Sequence, residues 1–77
     1  MLNLIKEEQS RQYVKWGEQN HIQMVWLGIL AEEFGEVAKE INELHFRQGD
    51  IEKLKLELIQ TAAVVASMYE SLERNGK

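Results

Sequence analysis

The sequence contains no cysteine and no proline, and only 5 of its 77 residues are glycine. The absence of cysteine excludes disulfide scaffolds, thiolate zinc sites and cysteine nucleophiles, and it favours a reducing cytoplasm. Because a many-stranded β fold needs glycine and proline at its turns, their scarcity favours helices. A chain of this length builds one core, so residues 1–77 are predicted to form a single all-α domain.

Long apolar runs and excess positive charge are also missing. No run is long enough to cross a bilayer, and the N-terminus lacks the features of a signal peptide, so we expect a cytoplasmic protein without a membrane partner. Lysine and arginine number 9 against 13 aspartate and glutamate, which gives a formal net charge of −4. Since nucleic-acid binding needs surplus positive charge, no nucleic-acid partner is expected. The acidic excess instead favours a site that holds a cation.

Hydrophobic periodicity predicts a long central helix from Ile22 to Arg47. Its apolar residues recur at alternating steps of three and four, as on one helix face. These residues are Leu27, Leu30, Phe34, Val37, Ile41 and Leu44. An N-terminal helix is predicted up to Lys15, followed by a loop over 17–20 in which Asn20 is a candidate N-cap.

A second periodic segment runs from Ile51 to about Arg74, after a break at Gly49 and a predicted N-cap at Asp50. It would form an antiparallel helical hairpin with the central helix. Apolar residues cover nearly the whole circumference of this third helix, and three short helices cannot bury them all. We therefore expect a second subunit to complete a helical bundle, giving a homodimer or homotetramer.

Oxygen-bearing side chains recur on both hairpin helices. Glu32, Glu33 and Glu36 lie close together on the central helix, and Glu57 and Gln60 lie one turn apart among apolar residues of the third. Burying an ionised carboxylate costs on the order of several kcal/mol unless the carboxylate is paired or bound to a metal. An all-oxygen donor set would select Mg²⁺, or alternatively Mn²⁺.

Two other interpretations of these carboxylates stay open. The stripe on the central helix can be a solvated acidic face, because neighbouring like charges on an exposed helix cost only about 0.2–0.5 kcal/mol per pair. Salt bridges with Lys39, Lys53 and Lys55 can also neutralise Glu36 and Glu57 without a metal.

Trp16, His21 and Trp26 lie just before the acidic helix, together with the amides of Gln19 and Asn20. Aromatic rings can stack on a nucleobase, which is worth about 1–3 kcal/mol, and amides can read its edge. The alternative is that the two tryptophans close the core where the first helix meets the hairpin.

Over residues 11–69 the chain resembles the MazG-like proteins of the all-α nucleoside triphosphate pyrophosphohydrolase superfamily. The resemblance rests on Lys15-Trp16-Gly17-Glu18-Gln19-Asn20-His21, on Trp26 with Ile29-Leu30-Ala31-Glu32-Glu33-Phe34-Gly35-Glu36-Val37-Ala38-Lys39, and on Glu57-Leu58-Ile59-Gln60-Thr61-Ala62-Ala63-Val64. It implies a homo-oligomeric enzyme that uses magnesium to split a nucleoside triphosphate between its α and β phosphates, giving monophosphate and pyrophosphate. The signature of the superfamily is Glu-Glu-x-x-Glu on one helix and Glu-x-x-Asp on the next.

Carried onto this chain, the signature implies Glu33, Glu36 and Glu57 as metal ligands and Glu32 as a ligand or an orienter of the attacking water. Gln60 stands where the signature has aspartate, so it offers a neutral oxygen and weaker metal binding is expected.

Substrate contacts are implied for the aromatic region and for lysines on the hairpin. Those residues are Trp16, His21, Trp26, Lys39, Lys53 and Lys55. The alternative function is a non-catalytic nucleotide-binding or oligomerisation module with a degenerate metal site.

Overall fold

A computed structural model describes residues 1–76, and over that range the chain forms three α-helices without any β-strand. They are α1 (Leu2–Trp16), α2 (Gln23–Phe46) and α3 (Ile51–Asn75). The all-α prediction is confirmed. The helix ends predicted from periodicity agree with the observed ends to within one residue wherever both are defined.

Helix α3 lies at the centre of the fold. It packs against both α1 and α2, whereas the described parts of α1 and α2 have no Cα atoms within 8 Å of each other. The first and second helices therefore each pack on α3 but not on each other, which leaves a gap between them. This gap becomes the candidate site described below.

Both ends of α3 follow the chemistry predicted for helix termini. The carboxylate of Asp50 accepts a hydrogen bond of 2.9 Å from the backbone N–H of Glu52, a cap worth about 1 kcal/mol. At the other end Gly76 adopts the left-handed conformation with φ 67°. Glycine is also required at position 49, because a Cβ there would approach the backbone nitrogen of Leu44 to 2.7 Å.

The start of α2 differs from the prediction that Asn20 caps it. The N-cap residue is Ile22, which has no capping side chain. The side-chain oxygen of Asn20 instead accepts hydrogen bonds from Arg74 Nη2 at 3.0 Å and from Asn75 Nδ2 at 2.9 Å. The loop before α2 is thus tied to the end of α3, a long-range contact that local sequence does not encode.

The core of the single chain is small. Trp26, Ala63 and Val64 are its buried apolar side chains among the described residues, and Trp26 is fully enclosed. Several polar residues are buried beside them, notably Glu8 and Ser71.

Two apolar stripes stay exposed. One consists of Leu27, Phe34 and Ile41 on α2, spaced by seven residues, and the other of Leu58, Val65 and Tyr69 on α3. The chain exposes 5859 Å². A globular monomer of the same mass exposes about 4,900 Å². The single chain therefore exposes more total surface than a globular monomer of its mass, and the two apolar stripes are part of that surface.

None of the helices described here is both long and apolar enough to cross a lipid bilayer.

Candidate functional site

The predicted carboxylates of α2 and α3 act on one another across the contact between these helices. Burial raises the pKa of Glu33, and the charges of Glu57, Glu36, Glu32 and Glu8 raise it further. A raised pKa means that the site disfavours negative charge, first because Glu33 is partly buried and second because other carboxylates lie on its side of the fold.

The pKa of Glu57 on α3 is raised as well. Burial raises the pKa of Glu57, as do the charges of Glu36 and Glu40, while the positive charge of Lys39 opposes them. The net shift is upward, so Lys39 does not compensate the surrounding negative charge. The charges of Glu33, Glu36 and Glu57, the three carboxylates of the predicted metal site, therefore act on one another in the folded chain.

Lysine salt bridges do not neutralise these carboxylates within residues 1–76. The ion pairs over this range are Arg11 with Glu8, Lys55 with Glu52, and Arg74 with Glu18. The alternative in which hairpin lysines pair with Glu36 and Glu57 is thus not what the structure contains. Lys55 is instead engaged one turn away along its own helix.

The chemical type of these side chains suits magnesium, but their positions in the folded chain do not form a ready metal site. Carboxylate and amide oxygens are the ligands that magnesium prefers, and the mutual repulsion would be relieved by a cation. However, within the part of the chain that is described, no three acidic or histidine side chains stand close enough to hold a metal ion. Cation binding would therefore require the glutamate side chains to change rotamer and converge.

A cleft of about 960 Å³ opens between α1, the loop before α2, and the facing sides of α2 and α3. Five of the predicted site residues line it, namely Glu32, Glu33, Gln60, Trp16 and His21. The volume is within the range of about 300–1,000 Å³ typical of small-molecule sites.

The other predicted residues lie outside this cleft. Glu36 and Glu57 are one helical turn beyond Glu33 and Gln60, and Lys39 and Lys53 are not among the lining residues.

Trp26 takes the core position that was the alternative to substrate binding. Its ring is fully buried, and the ring of His21 packs edge-on against it with centroids 4.9 Å apart. In the folded single chain no face of Trp26 is open to a nucleobase. Trp16, by contrast, is 64% exposed at the rim of the cleft, with the Lys15 ammonium 4.9 Å from its ring centroid.

The amide of Asn20 is also occupied. Its oxygen accepts from Arg74 and Asn75, and its nitrogen donates to Glu18 Oε2 at 3.1 Å. It therefore ties the loop to the end of α3.

Sequence reasoning missed the contribution of α1 to the cleft. Glu8, Arg11 and Gln12 line it, although none was a candidate. The sequence did indicate that these three residues share one face of α1. Arg11 and Gln12 follow Glu8 by three and four residues, and residues at those spacings are neighbours on a helix surface. What the sequence did not reveal is that this face lines the same cleft as Glu32 and Glu33.

Comparison of the chain with protein-family models, with curated proteins and with solved structures finds no match in any of the three. The functional assignment therefore depends on the residues and their arrangement.

The raised pKa of Glu57 predicts how stability depends on pH. The folded state binds the Glu57 proton more tightly than the unfolded state, so the unfolding free energy falls as pH rises from the ordinary carboxyl pKa through the raised one. Without divalent cations at neutral pH, Glu57→Gln should therefore stabilise the protein. The expected gain is about 0.2–0.5 kcal/mol for each like-charge pair removed.

Thermal or urea unfolding in a chelating buffer at neutral and at acidic pH checks this, with Glu73→Gln as a control on the same helix. Glu73 is exposed and does not act on Glu57. The stabilisation by Glu57→Gln should vanish below the ordinary carboxyl pKa. A loss of stability at neutral pH would contradict the repulsion described here.

Proposed function

We propose that the protein is a homo-oligomeric, magnesium-dependent nucleoside triphosphate pyrophosphohydrolase. The observation that carries the proposal is the mutual repulsion of Glu33, Glu36 and Glu57, which no lysine or arginine relieves by an ion pair among the described residues. Such an arrangement costs stability unless a bound cation relieves it. The adjoining cleft offers the space, the exposed aromatic ring and the positive side chains that a nucleotide requires.

In this proposal Glu33, Glu36, Glu57 and Gln60 would hold the magnesium. When bound, the ion would supply positive charge that offsets the negative charge of the triphosphate. Three of these four residues carry charge, so affinity is expected to be lower than for a site of four carboxylates.

Glu32 is proposed to orient the attacking water and accept its proton. It is exposed and lines the cleft next to Glu33, where a water molecule could lie between its carboxylate and a bound ligand. The water oxygen would bond to the α phosphorus while the bond from that phosphorus to the bridging oxygen breaks. Nucleoside monophosphate and pyrophosphate are then the products.

Trp16 is the ring proposed to stack on the nucleobase, with His21 beside it in the cleft. Lys39 and Lys53 lie outside the cleft of one chain, so a role for them in binding phosphate would depend on a second subunit. The lack of cysteine favours a cytoplasmic setting for this activity.

A second subunit is proposed to pack on the antiparallel pair of α2 and α3. Along α2, half-buried Leu30, Val37 and Leu44 alternate with exposed Leu27, Phe34 and Ile41, which together form the a and d positions of a heptad pattern. The first set lies nearer the core of its own chain and leaves the second set for a partner helix. The excess exposed surface, about 1,000 Å², is comparable to the roughly 800 Å² that each partner buries in a standard interface.

The alternative function is a nucleotide-binding or oligomerisation module without hydrolytic activity. Two observations favour it, the neutral Gln60 and the absence of a preassembled metal group within residues 1–76.

Replacing Glu36 by glutamine should abolish magnesium-dependent release of pyrophosphate while leaving the fold intact. Glu36 is exposed and has no ion-pair partner over the described range, so the change removes charge without opening the core. The assay is a panel of ribo- and deoxyribonucleoside triphosphates with and without magnesium, and circular dichroism monitors folding. Unchanged turnover by Glu36→Gln would remove the assignment.

Gln60→Asp separates the enzyme from the inert module. If the parent chain is inactive and this variant gains magnesium-dependent hydrolysis, the chain is a degenerate relative of an enzyme. If the parent already hydrolyses triphosphates, the variant should bind magnesium more tightly because it adds a fourth negative charge. Titration calorimetry with magnesium, beside Gln60→Glu for comparison of side-chain length, measures the change.

The proposed subunit contact predicts that Val65→Glu dissociates the protein. Val65 is exposed on α3 in the single chain, so a glutamate there is tolerated by the monomer but would be buried at the interface. Analytical ultracentrifugation should find an oligomer for the parent and for the control Ser10→Glu on α1, and a monomer for Val65→Glu. A monomeric parent would refute the contact.

A further inference from the structure

The cleft beside the carboxylates lacks the positive groups that were expected to receive a phosphate chain. Lys39, Lys53 and Lys55 belong to the hairpin but do not line it. The cationic side chains that do line it come from α1, and they are Arg11 and Lys15, one turn apart.

Arg11 is held at one edge by a buried carboxylate. Its Nε and Nη2 atoms both lie 2.8 Å from Glu8 Oε1, and the Glu8 residue is only 7% exposed. The second carboxylate oxygen of Glu8 accepts a bond of 3.2 Å from Gln12 Nε2, which also lies 3.4 Å from the backbone oxygen of Gln60. Arg11 is thereby fixed relative to α3 at the position of Gln60.

The remaining donors of this guanidinium are available to a ligand. Beyond its bonds to Glu8, Arg11 donates to no other side chain or backbone atom within residues 1–76, and its side chain is 61% exposed. A guanidinium presents several N–H groups in a planar fork that matches the oxygens of a phosphate.

Lys15 is less suited to the same task. Its ammonium lies over the ring of Trp16, 4.9 Å from the centroid, and an ammonium offers a point charge without a directed fork. Anchoring by Glu8 also reduces the side-chain entropy that Arg11 loses when it binds a ligand.

We propose that Arg11, held in place by Glu8, binds the phosphate chain of the ligand in this cleft. The inference rests on the proposed function for the identity of the ligand as a nucleoside triphosphate. It assigns the phosphate contact to α1 of the same chain, in place of the hairpin lysines. Nucleobase and phosphate would then lie along one wall of the cleft, with Trp16 and Arg11 as their respective contacts.

The test compares Arg11→Gln and Arg11→Lys with the control Lys6→Gln, a charge removed from an exposed position of α1 that does not line the cleft. Binding of inorganic tripolyphosphate in magnesium buffer is measured by calorimetry, and KM and kcat are measured for the best nucleoside triphosphate of a panel. Arg11→Gln should raise both Kd and KM about tenfold to a hundredfold, the usual effect of a hydrogen bond to a charged group. The value of kcat should change far less than KM. The Kd and KM of Arg11→Lys should lie between those of the parent and of Arg11→Gln, and those of Lys6→Gln should match the parent.

Thermal unfolding followed by circular dichroism distinguishes a loss of binding from a loss of folding. If Arg11→Gln does not fold, the affinity of Arg11→Lys is compared with that of the parent instead. Equal tripolyphosphate affinity in the parent and in folded Arg11→Gln would overturn the inference, whether or not the parent hydrolyses triphosphates. A parent that binds tripolyphosphate through Arg11 but hydrolyses nothing would support the phosphate site and refute the pyrophosphohydrolase. No binding of tripolyphosphate by the parent would overturn the phosphate site.

Discussion

Repulsion among carboxylates at the contact of α2 and α3 is the interaction on which the functional account depends. Glu33 and Glu57 are partly buried, and the charge of each carboxylate raises the free energy of placing another negative charge nearby. The described lysines form no ion pair with either residue. A chain with so small a core has little stability to spare for such a cost. A bound divalent cation would turn this unfavourable term into a favourable one, which links stability to ligand binding.

The arrangement of α1 explains why a cleft exists beside these charges. Because α1 and α2 both pack on α3 but not on each other, the space between them is closed at its base by α3 and stays open to solvent. Polar contacts set its walls, with Gln12 joining α1 to the backbone of Gln60 and Arg74 joining the loop to the end of α3. The cleft thus combines acidic side chains from α2 with basic and aromatic side chains from α1.

Much of this was predictable from local pattern. The spacing of Leu30, Val37 and Leu44 defined α2, and Asp50 marked the start of α3, because periodicity and capping are properties of neighbouring residues. The role of Asn20 and the entry of Arg11 into the cleft were not predictable in this way, and the sequence left both burial and substrate contact open for Trp26. Each depends on which helix lies across from it, and that is decided by tertiary packing between residues far apart in the chain.

Residue-specific mapping of a bound divalent cation tests the central claim most directly. In an ¹⁵N-labelled sample, small amounts of paramagnetic Mn²⁺ broaden the amide signals of residues near the ion. The account predicts that broadening begins around Glu33, Glu36, Glu57 and Gln60 and that excess Mg²⁺ reverses it. Broadening spread evenly over the acidic surface, or centred on distant carboxylates such as Glu52 or Glu73, would contradict it.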